Sequence, residues 1–454
     1  MDSSLYYVLP SDPSNISLDP LGLCDADEPS TWGVIFSAID SFRIKSSLSR
    51  GIHALPDLIQ DLSYSLHMNG HLDTEFLHQF ICRQYPDPNS FLASQVLNNI
   101  LDAALELPSL FPTHRIAYLN RHNALLDLST RHIRSLLSHQ ILTTLSPPKG
   151  NDWGCTFSSW YTAQPPMPQA VYGYLAALFD YFTYPIESND HITYRYYEIL
   201  PHTDSFSFWT TDQSSPLFDC LIIEPTSSQS VAFPHESVPC TLIASNSSPG
   251  FGASCTQEEL VTGACPPLLP MGALFVAPPV LPHAAIVVQG HVPLYHWRGQ
   301  GRDAQFLGKH TMRNHTFLFL DASEVDAVTS NTIPDIDPKY FFRDLHKAFT
   351  GLSALSQLGV KDVISPLWGA GTFGGDPVVK TIILAAAASQ TKVLIHLSVD
   401  TARIYQPFMP HEDDRPTVLI DFLRGLQQTW RHLTVGEIVS KLHNGDWGHL
   451  TRKS

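Results

Sequence analysis

Two short stretches hold the residues whose types and spacing could do chemistry. The first is LIASNSSPGFGASCTQEEL, Leu242 to Leu260: an apolar run, a loop of small residues with Gly250 and Gly252, then Gln257, Glu258 and Glu259. Small residues let a backbone approach a bulky anion closely and take up positive φ. The amide and two carboxylates that follow could fix sugar hydroxyls and move a proton. By themselves these residues also suit a surface turn capped by solvated glutamates. The second stretch is WGAGTFGGD, Trp368 to Asp376, in which Gly369, Gly371 and Gly374 match G-x-G-x-x-G, with Gly375 added. A glycine turn at a helix N-terminus offers unpaired N–H groups and a favourable dipole to a pyrophosphate. By pattern alone it fits a nicotinamide or flavin dinucleotide site. Against that reading, the motif sits in the last quarter of the chain, and the next strand ends without an acid at the usual distance, Asp400 lying late. Phe373, within the turn, suits stacking on a ribose or base. A turn that merely packs a helix on a strand is the plainer alternative.

Composition narrows the classes. With 454 residues the chain is long enough for two or three domains. A formal net charge of −16 argues against tracking along nucleic acid on a basic surface, so no direct nucleic-acid binding is expected. Any polyanion would have to meet a local pocket of backbone N–H groups. The seven cysteines form no CxxC pair and fit reduced thiols better than a disulfide framework. The 22 histidines show no HExxH or similar metal spacing. With no signal pattern and no run of 18 apolar residues, the expectation is a soluble intracellular protein without a membrane partner.

The elements that must position these loops can be read coarsely. Residues 1–30, rich in Ser, Asp and Pro, read as an extended arm. Helical rhythm follows over Ile52–Leu66, Phe91–Leu107 and His114–Leu145, the last stopping at Pro147-Pro148. After Pro168, the residues Val171, Tyr174, Leu175, Leu178, Phe179 and Phe182 make a core stripe. Beyond Tyr184 the period changes. Short β-rich runs at Ile192–Ile199, Leu221–Ile223, Thr241–Ala244, Ala285–Val288, Phe317–Leu320, Val363–Ile364 and Val393–Leu397 alternate with helices at Pro338–Leu352, Val378–Ala388 and Val418–Trp430. Such alternation predicts an α/β sheet covered on its faces, with ligands collecting outside the carboxyl ends of its strands. Both small-residue loops follow predicted strands. The expected division is an arm over 1–30, a helical region over 31–188 and a sheet domain over 189–454.

WGAGTFGGDPVVKTIILAAAA followed by KVLIHLSVD closely resembles the C-terminal macrodomain segment of poly(ADP-ribose) glycohydrolases. Gln257-Glu258-Glu259 is similar to that family's catalytic glutamine-glutamate-glutamate. Tyr295-His296-Trp297 is similar to its Tyr-Arg-Trp run, and Leu433–Glu437 and the helix Pro168–Phe182 also match. The resemblance covers about Trp153 to Leu442. The chain departs from the pattern in four places. Ser248-Pro249-Gly250-Phe251-Gly252 replaces three glycines, and Ile243–Asn246 replaces Asp-Phe-Ala-Asn. His291 replaces a tyrosine in a loop near Gln289-Gly290, and Leu397 replaces an aromatic that flanks adenine.

The resemblance implies a macrodomain-like mixed sheet flanked by helices, with an N-terminal accessory helical domain. It implies hydrolysis of the ribose–ribose bond of poly(ADP-ribose), with ADP-ribose as product and poly(ADP-ribosyl)ated proteins as partners, in a DNA damage response of the nucleus and/or cytoplasm. Bond cleavage through an oxocarbenium-like state needs an acid on the departing oxygen and then a water. Glu259 would be acid and then base, Glu258 would hold hydroxyls of the adjoining ribose, and Gln257 would order the loop. Substrate-binding positions would further include Asn246, Gly250, Gly252, Ala253, Gly369, Gly371, Thr372, Phe373, Gly374, Gly375 and His291. The diphosphate would rest on N–H groups of Gly250–Ser254 and Gly371–Gly375, with Phe373 on the distal ribose. No cofactor or metal is called for. The alternatives are a macrodomain that reads ADP-ribose without cutting it, and a dinucleotide oxidoreductase.

Overall fold

The computed structural model describes residues 5–46, 51–67, 71–147, 154–185, 190–201, 205–211, 215–226, 238–277, 279–299, 303–329, 333–406 and 416–444. Residues 188 and 189, where the domain division was expected, lie outside the described residues, as do Trp153 and Pro148. The chain forms two compact units that do not follow its linear order. The first comprises Met1–Tyr194, Ser248–Pro279 and Gly290–Asn314, and the second Arg195–Ser247, Val280–Gln289 and His315–Ser454.

The first unit is mainly helical. Its helices are α1 (Thr31–Ser46), α2 (Leu55–His67), α3 (Glu75–Gln84), α4 (Phe91–Leu105), α5 (Leu107–Leu110), α6 (Thr130–Ile141), α7 (Ser158–Tyr161), α8 (Pro168–Tyr181) and α10 (Gln257–Gly263). The stripe expected on α8 is buried as predicted; Val171, Tyr174, Leu175, Leu178, Phe179 and Phe182 are all within 1% of full burial. Among the described residues of the N-terminal arm, expected to be extended, only β1 (Tyr6–Val8) is a strand, pairing antiparallel with β2 (Arg115–Ala117), and the residues after it turn repeatedly, with Asp12 N donating to Leu9 O and Gly22 N to Asp19 O. The run from His114 to Leu145, expected as one helix, is helical only over α6. Its first part forms β2, a turn and β3 (Leu125–Ser129). Asn120 and Asn123 explain the difference. Asn120 Oδ1 accepts from His122 N at 2.8 Å and Asn123 N at 3.1 Å, and Asn123 Nδ2 donates to Ala117 O at 3.1 Å. Asparagine side chains compete with the helix ladder in this way and favour turns.

The second unit is an α/β sheet. Among β4 (His191–Glu198), β5 (Leu221–Pro225), β6 (Cys240–Ser245), β7 (Ala284–Arg298), β8 (Gln305–Asp321), β9 (Asp362–Ser365) and β10 (Leu394–Val399), the order in this unit is β7-β8-β6-β9-β10-β5. The β8–β6, β6–β9, β9–β10 and β10–β5 pairs are parallel. A short antiparallel pair, β11 (Ile404–Tyr405) with β12 (Thr417–Val418), follows. The helices are α9 (Ser205–Thr210), α11 (Pro338–Gln357), α12 (Pro377–Thr391), α13 (Leu419–Thr429) and α14 (Val435–His443). Leu242, Leu318, Leu320, Val363, Ile395 and Leu397 meet α11 and α12 in one apolar core. Every residue of α12 from Val378 to Ser389 is buried, which matches its nearly unbroken apolar sequence. β7 and β8 run well beyond their predicted apolar runs: the first half of β8 carries polar residues such as Lys309, Thr311 and Arg313 that show no β-rich apolar signal, while β7 continues past Gly290 and Pro293 into the buried Leu294, Tyr295 and Trp297. None of the seven cysteines forms a disulfide. Among the described residues, no helix is long and apolar enough to cross a membrane.

Candidate active site

The chain leaves β6 at Ser245 and reaches α10 through the small-residue loop. Thr256 caps α10. Its side chain accepts from Glu259 N while the Glu259 carboxylate accepts from Thr256 N, a reciprocal capping box. Glu259 Oε2 takes both available donors, Ser254 Oγ at 2.5 Å and Thr256 N at 3.1 Å. Its other oxygen, Oε1, accepts nothing among the described residues. Glu258 turns elsewhere, its Oε1 accepting from Gly250 N at 3.0 Å. Both glutamates are buried, at 5% and 2% exposure, so the reading of solvated surface glutamates does not hold. Adjacent helical residues point apart, and these two carboxylates have separate surroundings.

The loop is held from below by aromatic residues of the same unit. Trp160 Nε1 donates to Gly252 O at 2.7 Å, and Tyr174 OH donates to Ser254 O at 3.0 Å. Burial pushes the Tyr174 phenol well above its ordinary range, which keeps it a donor. Phe251 packs between Phe157 and Trp160, with ring centroids 4.8 and 5.1 Å away. Gly272 lets Pro249 come close, since a Cβ there would stand 1.9 Å from the Pro249 carbonyl oxygen. Of the loop donors expected for a diphosphate, Gly250 N–H is therefore occupied by Glu258. The N–H groups of Gly252, Ala253 and Ser254 have no partner among the described residues. Tyr174 reads in sequence as core only, and Trp160 carries no local signal; it acts on a residue 92 positions away.

The glycine-rich turn belongs to the second unit and lies where β9 ends and α12 begins, at the carboxyl edge of the parallel strands. Neighbours at that edge hold its carbonyl groups. Gly369 O accepts from Gly375 N at 3.0 Å, Ala370 O from Arg403 at 2.6 Å, Gly371 O from Gly374 N at 3.0 Å, and Phe373 O from Val325 N at 2.9 Å. Gly374 has φ +71°, and a Cβ there would stand 2.6 Å from Asp326 Cα, so only glycine fits. With the carbonyls taken, the N–H groups of Gly371, Thr372 and Phe373 have no partner among the described residues. Gly371 and Thr372 are exposed, while Phe373 is half-buried against the unit's core. Asp376 caps α12, accepting from Val378 N at 2.8 Å and Val379 N at 3.0 Å. Three consecutive open donors thus lie in the turn before α12, whose own first N–H groups are taken by Asp376. At the same edge a cavity of about 380 Å³ is lined by Ser247, Ser323, Glu324, Tyr340 and Arg343 among others. Asn246 reaches Glu324 Oε1 at 3.4 Å.

Two positions fall differently from expectation. Gly290 and His291 lie inside the continuous strand β7, not in a loop, and His291 is exposed. Leu397, at the position where the family resemblance places an aromatic beside adenine, is fully buried in the apolar core. Strand alternation decides this, because Ile395, Leu397 and Val399 share the core face of β10. Tyr295 and Trp297 are also buried; Tyr295 OH donates to Asp180 Oδ2 at 2.7 Å.

A mixed central sheet flanked by helices, with a glycine-rich turn at its carboxyl edge, is the architecture of the macrodomain class. The family model described as poly(ADP-ribose) glycohydrolase (PARG), macro domain fold, matches residues 241–404, which include both loops. The model of that family's helical domain matches residues 86–196. Together they account for more than half of the chain, and the chain belongs to the poly(ADP-ribose) glycohydrolase family of glycoside hydrolases. Among solved structures, it is similar to poly(ADP-ribose) glycohydrolase from Thermomonospora curvata, at 17% identity over 46% of this chain and 81% of that one, with a TM-score of 0.33. It is also similar to the Deinococcus radiodurans glycohydrolase in complex with ADP-ribose, at 18% identity over 45% and 85%, with a TM-score of 0.30. These structural values are low, and the family assignment stands on the two sequence matches. No curated protein sequence matches the chain.

Proposed function

We propose that this chain hydrolyses the ribose–ribose O-glycosidic bonds of poly(ADP-ribose) and releases ADP-ribose, with Glu259 as general acid and then base. The observation that carries the assignment is the state of the two glutamates. Glu259 has one carboxylate oxygen fixed by Ser254 and Thr256 and the other without a partner among the described residues. That is what proton transfer to a bound sugar oxygen requires: a carboxyl locked in orientation, with one oxygen left to react. Glu258 is tied to Gly250 N and serves loop shape and ribose hydroxyls rather than the proton. The N–H groups of Gly371–Phe373 are donors for phosphate oxygens, and Phe373 is the apolar face for a ribose.

Modified proteins carrying the polymer are the proposed partners. An intracellular setting, nuclear or cytoplasmic, agrees with seven cysteines of which none is disulfide-bonded. The test is incubation with automodified poly(ADP-ribosyl)ated protein and separation of the products by size. ADP-ribose should accumulate. Retention of intact polymer by a protein that still binds ADP-ribose would replace hydrolysis with reading.

A further inference from the structure

Lys380 is buried in α12 at 1% exposure, and its charge is used entirely inside the second unit. Nζ stands 2.7 Å from Asp335 Oδ1, an ion contact without hydrogen-bond alignment, and donates to Asp344 Oδ2. Both carboxylates are as buried as the lysine. Asp335 also accepts from Asp376 N, the residue that closes the glycine-rich turn. Asp344 accepts from Ser323 N and Oγ, at the end of β8. The ammonium thus ties the turn, the 3-10 turn Pro334–Ile336, α11 and the end of β8 to one point.

The lysine stem carries the same message. A Cβ on Gly369 would stand 3.0 Å from Lys380 Cε, and one on Gly375 would stand 2.4 Å from it. The stem therefore runs directly against the turn at its first and last glycines, and the turn can close around it only because both lack side chains. Trp368, beside Gly369, has its ring centroid 5.9 Å from Nζ and donates Nε1 to Leu320 O at 3.0 Å. Burying a lysine with two carboxylates is costly in desolvation and is weak evidence for stability. Its return here is geometric: the glycine-rich turn has one shape, and in that shape the N–H groups of Gly371, Thr372 and Phe373 stay open.

Resting on the proposed function, we propose that Lys380 is a positioning residue for substrate, the fixed support that holds the glycine-rich turn in its phosphate-accepting form, with Asp335 and Asp344 as its anchors. It touches neither substrate nor reacting atoms.

The expected signature is a split between binding and turnover. Lys380→Met paired with Asp335→Asn removes one charge of each sign and keeps the volumes near native. In the full chain this double variant should raise the Kd for ADP-ribose and the KM for polymer about tenfold, about 1.4 kcal/mol of binding free energy, with kcat within about threefold of the parent. Thermal unfolding and circular dichroism establish that the variant is folded. An unchanged Kd in a folded double variant overturns the proposal. If that variant does not fold, Asp335→Asn alone carries the test: it leaves Lys380 one carboxylate and should raise Kd about threefold at constant kcat. An unchanged Kd there also overturns it. Failure of the underlying reading looks different, since the unaltered protein would then neither bind ADP-ribose nor release it.

Discussion

Replacing Glu259 by glutamine and by alanine separates catalysis from helix capping at the same position. In the structure Glu259 Oε2 accepts from Ser254 Oγ and Thr256 N. Glutamine can place its carbonyl oxygen there and keep the capping box, which accepts either residue. Its amide nitrogen then occupies the place of Oε1, where it can donate a hydrogen bond but cannot transfer a proton to a leaving oxygen. Glu259→Gln should thus melt close to the parent and bind ADP-ribose nearly as well. It should lose about 10²–10⁴ in the rate of ADP-ribose release, the range for lost acid–base catalysis, or roughly 3–5 kcal/mol of barrier. Glu259→Ala additionally abandons two accepted hydrogen bonds at a buried cap, at about 1 kcal/mol each. It should therefore melt lower than the glutamine variant while being no less inactive. The assay is release of ADP-ribose from automodified polymer under single-turnover conditions, with calorimetry for binding and thermal scans for stability. If Glu259→Gln released ADP-ribose within tenfold of the parent rate, the acid has been misassigned. If both variants lost activity only in step with melting, Glu259 is a cap and nothing more.

Phe373→Ala should weaken ADP-ribose binding by about 0.5–1.5 kcal/mol beyond lost area; because Phe373 also leans on the core, a fall in melting temperature at unchanged affinity would make it a packing residue only. A chain beginning near residue 189 would lose Trp160 and Tyr174, the donors to Gly252 and Ser254, and should be poorly soluble or inactive; a soluble, fully active fragment refutes that dependence. His139, fully buried with Nε2 donating to Ala104 O at 3.0 Å, has its pKa lowered by burial to about 4. Its value in the unfolded chain is about 6.5, so the neutral ring's contribution is whole above that pH and is lost as pH falls toward 4, about 3 kcal/mol across the window. His139→Gln should flatten stability against pH there, and parallel curves for variant and parent would count against it.

Much of the architecture follows from local pattern. The stripe on α8 and the apolar runs of β4, β5, β6, β9 and β10 are legible because a period of 3.6 or 2 is written in neighbouring residues. The two loops are legible for the same reason, since glycine, glutamine and glutamate at short spacings mark close backbone approach and proton chemistry. Even the capping box is local, Thr256 and Glu259 standing three residues apart. Other features had no such mark. The turn at Asn120 and Asn123 broke a run that looked helical, and the polar first half of β8 is held in strand by pairing rather than by its own pattern.

Tertiary structure alone decided which glutamate oxygen and which loop amides are left without a partner among the described residues. It also decided that Leu397 faces the core and His291 lies in a strand, and that Lys380 supports the glycine-rich turn. Trp160 meets Gly252 across 92 residues, and Lys380 meets Asp344 across 36. A buried donor finds its acceptor only when the folded chain brings the two together, so the chemistry at each loop is written locally while its geometry is set by residues far along the chain.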